Sequence, residues 1–405
     1  MWLGVSIFTV MYLLIAGRRL AWLPFDRPAG ALAGAVAMVA FGVLAPREAI
    51  DAIHGETLLL LFGLMGIGGF LAADGFLERA ADSLAARCGN ASRLLGALVW
   101  GAGILSALLT NDAVCVLGAP LVVVWVKRLR LPALPFLLAL ATAANTGSVA
   151  TLVGNPQNML CGQLGGLEYS RYLLHLAPVA VVGLALNHAL LARMFRRELA
   201  MELPRTLPRA VLDVQSSITL AVLALTVVAY LCGADLAWTA AGGFTALMFV
   251  HRADTSRLWE RIDWSVLLFF AGLFIAVEGL ARSGATAWFF ERYPLLAADG
   301  AQGAAWRASG IFLVGSNLVS NVPFILVVQD ELARFENREL AWELLAMAST
   351  FAGNLTLLGS VANVIVAERG RELGGMGFFA YLKVGFPLAL LTTALGTAWL
   401  ILVHA

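Results

Sequence analysis

Residues 151–158 read Thr-Leu-Val-Gly-Asn-Pro-Gln-Asn, and residues 356–363 read Thr-Leu-Leu-Gly-Ser-Val-Ala-Asn. Each string interrupts a long apolar stretch with a glycine and a polar residue, and each ends on an asparagine. A glycine weakens an α-helix, and Pro156 removes a backbone hydrogen-bond donor from the first string. The strings at 151 and 356 begin 205 residues apart, so they predict two helices that are interrupted at corresponding points of the chain.

Three further segments recur at nearly the same spacing, which indicates an internal repeat. The pairs are Phe62-Gly63-Leu64 with Ala271-Gly272-Leu273, Leu109-Thr110-Asn111 with Val319-Ser320-Asn321, and Tyr172-Leu173 with Tyr381-Leu382. Matched asparagines and glycines are harder to produce by chance than matched leucines in so apolar a chain. We therefore assign one repeat to residues 57–192 and a second repeat to residues 265–405.

The composition restricts the class of protein. Of the 405 residues, 60% are hydrophobic and only 13% are charged, against about 25% charged in an ordinary soluble domain. A soluble protein is therefore excluded, and the surroundings expected for this surface are a lipid bilayer. The net charge of +1 gives no basic field for nucleic acid. The four cysteines are far apart without C-x-x-C spacing, which indicates no disulfide framework or structural zinc site.

The apolar stretches have room for about ten membrane crossings at roughly 20 residues each. The stretches 94–126 and 305–329 break in the middle at polar residues, and we interpret both as re-entrant hairpins. In this topology most of the 27 Lys and Arg residues are cytoplasmic, as the positive-inside rule requires. The exceptions are Arg47, Arg171, Arg282, Arg292, Arg307, Arg334 and Arg338. We therefore expect a multi-pass cell membrane protein with both termini outside.

This topology divides the chain into four parts. Residues 1–56 form N-terminal scaffold helices, residues 57–192 the first repeat, residues 193–264 a cytoplasmic connector with two helices, and residues 265–405 the second repeat. The first repeat enters the membrane from outside and the second from inside, so the repeats are inverted. An all-α polytopic fold with inverted repeats and interrupted helices is typical of secondary transporters, whose substrate site lies near the midplane between the repeats.

The hairpin tips are residues 110–112 (Thr-Asn-Asp) and residues 320–322 (Ser-Asn-Val). A turn at this depth has to be buried in protein or line an aqueous cavity, because backbone groups are not left unsatisfied in hydrocarbon. Thr, Asn, Asp and Ser are good helix caps, so one interpretation is purely structural. The other is that the free N–H groups at the helix start bind an anion or an oxygen-rich solute.

Asp112 is the one carboxylate at a hairpin tip. A charged side chain at the bilayer centre costs about 2.5–3.5 kcal/mol, so Asp112 is expected to be protonated or paired with a cation. We therefore interpret Asp112 as the first candidate for the carrier of a coupling proton. Glu278 is a second candidate, although an ion pair with Arg282 one helical turn later explains its position equally well.

Small polar residues surround both helix breaks, 154–158 and 359–363. These residues either allow close helix packing or bind a solute, because buried amides are costly unless they bond to each other or to a ligand. Unwound carbonyls and amide oxygens also suit Na⁺, for which the candidates are Asn111, Gly154, Asn321 and Gly359. The candidate substrate-binding residues are Thr110, Asn111, Asn145, Thr146, Asn155, Asn158, Ser320, Asn321, Asn354, Ser360 and Asn363.

Other chemistry is weakly indicated. The five histidines lie near expected helix ends, and we interpret all of them as interfacial residues without a ligand set: His54, His175, His188, His251 and His404. No nucleophile–base pair is evident, so we expect no enzyme and no cofactor other than a coupling ion, H⁺ or Na⁺. The stretch 193–215 reads as a solvated cytoplasmic loop.

The strings at 154–158 and 353–360, together with Ser320-Asn321-Val322-Pro323, resemble the ion transporter superfamily. Its members include arsenite permeases, sodium–proton antiporters, citrate transporters and divalent anion–sodium symporters. The resemblance covers essentially the whole chain. It points to the branch that holds plant silicic-acid efflux carriers and uncharacterised bacterial permeases.

Similarity to the symporters of this superfamily implies a homodimer, a scaffold of outer helices, and a transport domain that makes an elevator-like shift with both hairpin tips around the solute. The symporter tips read Ser-Asn-Thr and hold two Na⁺ ions. Here Asn111 and Asn321 match this pattern, whereas Asp112 and Val322 depart from it. The departure puts sodium-coupled dicarboxylate uptake in doubt. An acid at this tip resembles the arsenite and silicic-acid carriers, for which the resemblance implies proton-coupled export.

The expected function is therefore secondary transport of a small anion or an uncharged metalloid hydroxide such as arsenite, in exchange for protons or sodium. Two alternatives remain open, a sodium–proton antiporter and a sodium-coupled di- or tricarboxylate symporter. A channel would instead need a continuous pore. Amides and hydroxyls accept carboxylates, oxyanions and neutral hydroxides alike, so the sequence does not name the substrate. No arginine lies at either tip, which argues against a large multivalent anion.

Overall fold

In a computed structural model, the described residues are 1–16, 26–203, 211–252, 258–260, 262–295 and 300–405, and they form α-helices joined by short turns. The all-α prediction is confirmed for these residues, whose β-pairing is limited to an isolated bridge between Asn90 and Glu202. Part of the charge count above lies outside the described ranges, namely Arg18, Arg19, Arg205, Arg209, Arg257 and Arg261.

The described residues of the first half of the chain form ten helices. The N-terminal region holds α1 (Trp2–Ala16), α2 (Arg27–Ala40) and α3 (Pro46–Asp51). The region assigned to the first repeat holds α4 (Gly55–Ala73), α5 (Phe76–Arg87), α6 (Ala91–Leu108), α7 (Asn111–Leu129), α8 (Ala133–Ser148), α9 (Pro156–Gly165) and α10 (Tyr169–Met194).

Between this region and the second one, the structure describes α11 (Val214–Leu231) and α12 (Leu236–His251). The second region holds α13 (Trp264–Arg282), α14 (Ala285–Arg292), α15 (Gly300–Val319), α16 (Asn321–Leu332), α17 (Arg338–Leu355), α18 (Val361–Arg369) and α19 (Phe378–Val403). Single 3₁₀ turns at Leu357–Gly359 and Gly370–Leu373 flank α18.

Six of the described helices are long and apolar enough to cross a membrane, namely α4, α6, α10, α11, α13 and α19. Apart from α6, which is the first arm of a hairpin, these are crossings expected from the sequence. Helices α1, α2, α8 and α12 are apolar but shorter. The structure contains no bilayer, so the number of ten crossings stays a prediction.

Both helix breaks lie within a few residues of the predicted positions 154–158 and 359–363, at residues 149–155 and 356–360, and both turns lie at or beside the predicted tips. Helix α8 ends at Ser148 before α9 begins at Pro156, and α17 ends at Leu355 before α18 begins at Val361. Helices α6 and α7 pack against each other across the turn at Leu109–Thr110, and α15 and α16 do so across Ser320. Each break leaves backbone groups that need partners outside the helix.

The helices of the two regions follow in the same order and pack in the same pairs. Helix α6 packs on α8 as α15 packs on α17, and α8 packs on α10 as α17 packs on α19. Between the regions, α7 packs on α18 and α16 packs on α9. Each hairpin therefore contacts the second half of the interrupted helix that belongs to the other region.

The centre of the molecule is formed by α8 and α17. Residues 135–150 and 341–354 are buried without exception. A helix that is buried on all sides is expected to be apolar all round, yet α8 and α17 carry Asn145, Thr350 and Asn354 at this depth. These polar side chains are the starting point for a site.

Candidate functional site

The two helix breaks are closed by equivalent asparagines. Asn158 donates its side-chain N–H groups to the carbonyls of Ser148 at 3.1 Å and Thr151 at 3.0 Å. Asn363 makes the equivalent two bonds, to the carbonyls of Gly353 at 2.7 Å and Thr356 at 3.3 Å. These carbonyls stand 205 residues after those of Ser148 and Thr151. In both breaks the asparagine thus replaces the helical partners that the interrupted backbone has lost.

The two breaks also bond to each other. Asn145 donates to Asn363 Oδ1 at 2.9 Å, and Thr350 donates to Asn158 Oδ1 at 2.9 Å. Thr350 stands 205 residues after Asn145, and Asn363 stands 205 residues after Asn158. The two bonds are therefore equivalent: in each, a residue of one region donates to the asparagine in the break of the other region.

A second pair of hydrogen bonds also links equivalent positions of the two regions. Ser360 donates its hydroxyl to Asn145 Oδ1 at 3.2 Å, and Asn155 donates to the Thr350 hydroxyl at 3.1 Å. Contacts of this reciprocal kind arise when two similar units are related by an approximate two-fold axis. They support the internal repeat with hydrogen bonds, independently of the sequence match.

Asn145 is the centre of this network. Its Nδ2 also donates to Asn354 Oδ1 at 3.1 Å, and Asn354 donates in turn to the Thr146 hydroxyl at 3.0 Å. The Tyr381 hydroxyl reaches Asn354 Oδ1 at 3.4 Å. The candidate amides therefore bond mainly to one another, which is one of the two interpretations that the sequence left open. Sequence reasoning missed Thr350 and Tyr381 as members of the network.

The tip of the first hairpin is joined to the network. Asn111 donates its side-chain N–H to Asn145 Oδ1 at 3.0 Å, and its backbone N–H donates to the Gly154 carbonyl at 2.9 Å. Thr110 caps α7 by accepting from the Ala113 N–H at 3.3 Å. The bond to Asn145 orients the Asn111 amide, so its Oδ1 faces away from the network. This oxygen is buried and has no hydrogen-bond partner among the described residues.

The tip of the second hairpin has the same unpaired atom. Asn321 is 9% exposed, and its Oδ1 is buried without a partner in the described part of the chain. The position equivalent to Asn145 is Thr350, whose hydroxyl bonds to Asn158 and Asn155. Ser320 precedes Asn321 with φ 72° and ψ 150°, a conformation that is essentially confined to glycine and costs about 1–3 kcal/mol. Strain of this kind is concentrated at functional sites.

Asp112 lies in the first turn of α7 and is half-buried. Its carboxylate faces the backbone N–H of Ala362, at the start of α18, where the Ser360 side chain makes no cap. Arg27 and Asp263 act on the same carboxylate electrostatically. The carboxyl group expected to carry a proton thus stands at the N-terminus of the interrupted helix of the second region.

Glu278 lies apart from this site. Its carboxylate accepts from Arg282 Nε at 2.7 Å, and Arg282 also bonds to Glu48 at 2.6 Å. The three side chains line a polar cavity of about 200 Å³ between α3, α13 and α16. The structure therefore shows the ion pair that was the alternative explanation of Glu278.

The glycines named as possible Na⁺ ligands are required for close packing. A Cβ atom on Gly154 would lie 2.2 Å from the Ser148 carbonyl oxygen, and one on Gly359 would lie 2.4 Å from Asn317 Nδ2. The Gly154 carbonyl already accepts the Asn111 backbone N–H. A Na⁺ ion at this break would share that carbonyl with the hairpin tip.

The far end of the first hairpin is tied to the same part of the second region. Lys127, at the end of α7, donates to Glu372 at 2.6 Å, in the turn that follows α18. This hydrogen bond and the lysine charge lower the pKa of the Glu372 carboxyl. The carboxyl is therefore charged at neutral pH, and the ion pair links the hairpin to the segment that α7 already contacts.

One expectation about the histidines is wrong. They were interpreted as interfacial residues without a ligand set, but the structure brings His175 and His404 together on the buried carboxylate of Glu343. Both histidines do lie near helix ends, as expected. The three residues stand far apart in the chain, and no local spacing indicates their contact. This cluster lies outside the site described above.

An all-helical molecule with several apolar spans, two interrupted helices and a polar centre belongs to the class of multi-pass membrane transporters. A family model described as citrate transporter (CitMHS) matches residues 11–352, and the chain belongs to this family. The family is one of transporters and not of enzymes, and it falls within the ion transporter superfamily that the sequence motifs resemble.

Curated relatives match over nearly the whole length. The silicon efflux transporter LSI3 of Oryza sativa subsp. japonica is 30% identical, over 97% of this chain and 96% of its own. The putative transporter arsB of Dictyostelium discoideum is 27% identical, over 94% and 88%. The uncharacterized transporter Rv2684 of Mycobacterium tuberculosis is 29% identical, over 98% and 97%.

A solved structure shares the fold. The crystal structure of the Alcanivorax borkumensis YdaH transporter, described as having an unusual topology, matches with a TM-score of 0.57. The match covers 98% of this chain and 96% of that one at 13% sequence identity. At this identity the likeness concerns the fold alone.

Proposed function

We propose that this chain is a secondary active transporter of a small uncharged metalloid hydroxide, of the arsenite or silicic-acid kind, and that Asp112 carries the coupling proton. The observation that carries the proposal is the pair of unpaired acceptors at the hairpin tips, Asn111 Oδ1 and Asn321 Oδ1. A buried oxygen without a donor costs about 1–3 kcal/mol, so it favours a ligand that supplies O–H groups.

These two amide oxygens also distinguish between the candidate substrates. A metalloid hydroxide offers O–H donors, whereas a carboxylate offers acceptors that would face the amide oxygens. Of the amide N–H donors that a carboxylate needs, those of Asn145, Asn155 and Asn354 bond within the network, whereas the Asn321 amide makes no described hydrogen bond. Names of relatives point the same way, because the rice protein is a silicon efflux transporter and the Dictyostelium protein is named arsB.

Asp112 supports coupling to protons. Its carboxylate is half-buried at the start of α18, which it contacts through the Ala362 N–H. Protonation weakens this contact, because a helix N-terminus stabilises the charged carboxylate more than the neutral acid. The protonation state of one tip therefore acts on the interrupted helix of the other region, which is what the coupling of a proton to a conformational change requires.

The architecture that we propose for transport rests on the resemblance to the symporters of the superfamily, and the reciprocal hydrogen bonds support its two repeats. Two inverted repeats, 57–192 and 265–405, form the transport domain, and the remaining helices form the scaffold of a homodimer. Ten crossings and two hairpins are proposed, with alternating access by an elevator-like shift. Na⁺ is the alternative coupling ion, with Asn111, Gly154, Asn321 and Gly359 as its ligands.

Reconstitution into liposomes with an internal pH dye tests the function. Arsenite or silicic acid added alone should move protons, whereas NaCl alone or citrate alone should not. Asp112→Asn should reduce the proton movement at least tenfold, because an amide cannot carry the proton. The matched control is Glu278→Gln, which should behave like the parent because Glu278 lies apart from the tips.

A second variant tests the binding role in the same assay. Asn321 makes no described side-chain hydrogen bond, so Asn321→Ala should raise the half-saturating concentration at least tenfold and leave the thermal stability unchanged. Proton movement with NaCl alone would instead identify a sodium–proton antiporter. Movement that needs citrate and sodium together would identify a carboxylate symporter, and either result would overturn the proposal.

A further inference from the structure

Three helix ends meet at a buried carboxylate away from the transport site. Glu343, in the second turn of α17, has a side chain that is only 1% exposed. His175 Nδ1, from the second turn of α10, lies 2.8 Å from Glu343 Oε1. His404 Nε2, directly after α19, lies 2.8 Å from Glu343 Oε2. Each carboxylate oxygen therefore faces one imidazole nitrogen.

The two imidazoles are held in position by further contacts. Their ring centroids lie 5.0 Å apart with the planes at 79°. The Trp399 indole donates to the His175 carbonyl at 2.8 Å, and Asn337, which caps α17, lies with its amide nitrogen 3.3 Å from His404 Nδ1. Partners of this kind orient a histidine and select which ring nitrogen faces a ligand.

A buried carboxylate is costly unless a positive charge balances it. The ion-pair partners described for Glu343 are the two histidines, which are positive only when protonated. The cluster is therefore built to hold a cation between the three side chains, and the cation is either a proton on an imidazole or a metal ion.

We propose that His175, Glu343 and His404 bind a Zn²⁺ ion. Two imidazoles and one carboxylate are a donor set that Zn²⁺ uses with one position left open. The ligand atoms all lie within 4.8 Å of one another. Bond lengths of about 2.0–2.2 Å place neighbouring ligand atoms of a tetrahedral zinc ion about 3.3 Å apart. The two nitrogen–oxygen separations of 2.8 Å therefore have to open by about half an ångström, and ligand atoms that lie up to 4.8 Å apart have to approach by up to about 1.5 Å.

Zinc would take the place of the proton that otherwise balances the Glu343 carboxylate. Binding therefore releases a proton and strengthens as the pH rises. A zinc ion on His404 Nε2 leaves the ring proton on Nδ1, so the Asn337 amide nitrogen, 3.3 Å away, has to move. The ion would fasten α10 of the first repeat region to α17 and α19 of the second. It lies at the end of these helices that the charge distribution places outside.

Metal analysis of the purified full chain, with its affinity tag removed, tests the proposal. After dialysis against Zn²⁺ and gel filtration, the parent should retain about one Zn²⁺ per chain. His175→Ala and His404→Ala should each retain less than a tenth of that amount. The matched control is His188→Ala, in the same helix as His175 but outside the cluster, and it should retain zinc like the parent.

Two further measurements keep the test decisive. Glu343→Gln conserves the volume of the buried side chain and should also lose the ion, even if an alanine variant fails to fold. Loading the parent with Co²⁺ should give the visible absorption of a tetrahedral site with nitrogen ligands. Zinc retention that is equal in the parent and in Glu343→Gln, or the absence of this absorption, would show that the cluster holds only protons. The transport proposal would then stand unchanged.

Discussion

At the scale of single residues, glycine decides how closely the central helices approach. Gly147 of α8 lies so near α6 that a Cβ atom would stand 2.2 Å from the carbonyl oxygen of Gly103. The obstacle is backbone, which cannot rotate away as a side chain can. Gly101 belongs to the same helix as Gly103, but a Cβ atom there meets nothing within 4 Å. Glycine is thus required for helix packing at position 147, whereas position 101 has room for a larger side chain.

Gly147→Ala should therefore destabilise the protein, because α6 and α8 have to separate. Overpacking of this kind costs about 1–3 kcal/mol. The matched Gly101→Ala should be neutral or stabilising by up to about 1 kcal/mol, since alanine favours the helix. Thermal unfolding in detergent, followed by size-exclusion chromatography, measures both. Equal melting temperatures for the two variants would mean that α6 and α8 are not in backbone contact.

At the scale of helices, the amide network joins the interrupted segments to one hairpin. Asn145 accepts from Asn111 and Ser360 and donates to Asn354 and Asn363, so one side chain links α8 with α7, α17 and α18. Buried networks of this kind are rigid when every member is satisfied. At the second hairpin Thr350 replaces the equivalent asparagine, and the link to the break is made by Asn317 of α15, which donates to the Ala352 carbonyl at 2.9 Å.

Asn145→Ala should cost several kcal/mol, because it leaves several buried polar groups without partners at about 1–3 kcal/mol each. Asn187→Ala is the matched control, since the described side-chain hydrogen bonds of Asn187 join it to Thr142, which keeps its bond to the Leu138 carbonyl. The fall in melting temperature should be at least twice as large for Asn145→Ala. A smaller fall than in the control would indicate that the network does not hold the breaks together.

At the scale of the whole molecule, the distribution of Lys and Arg predicts the orientation in the membrane. The native cysteines allow this orientation to be tested by chemical labelling. Cys232 is exposed after α11, on the side predicted to be outside, whereas Cys88 follows α5 on the side predicted to be cytoplasmic. Burial raises the pKa of the Cys88 thiol, so less of the reactive thiolate forms at neutral pH. Cys115 and Cys161 are fully buried.

A membrane-impermeant maleimide added to intact cells should therefore label Cys232, and Cys232→Ser should remove the label. Cys88 should react only after permeabilisation, and faster at mildly alkaline pH as its thiol ionises. Mass spectrometry of the labelled peptides assigns the sites. Labelling of Cys88 in intact cells would reverse the proposed orientation.

The sequence by itself determined the features that depend on local chemistry. Hydropathy predicts which segments are buried in the membrane, and glycine and proline predict where a helix ends. Both breaks and both hairpin turns were therefore predictable to within a few residues. The repeat was predictable because both halves need the same residues at the same breaks. The motif at 154–158 was also specific enough to indicate the family.

Only the tertiary structure decided which polar groups are free. From the sequence, all the buried amides were equal candidates for binding a solute. Their pairing depends on contacts between positions about 200 residues apart, such as Asn145 with Asn363, which no local pattern encodes. For the same reason the cluster at Glu343 and the ion pair of Glu278 emerged only from packing. Local sequence sets the shape of each segment, whereas the free energy of burying a polar side chain depends on neighbours that folding brings to it.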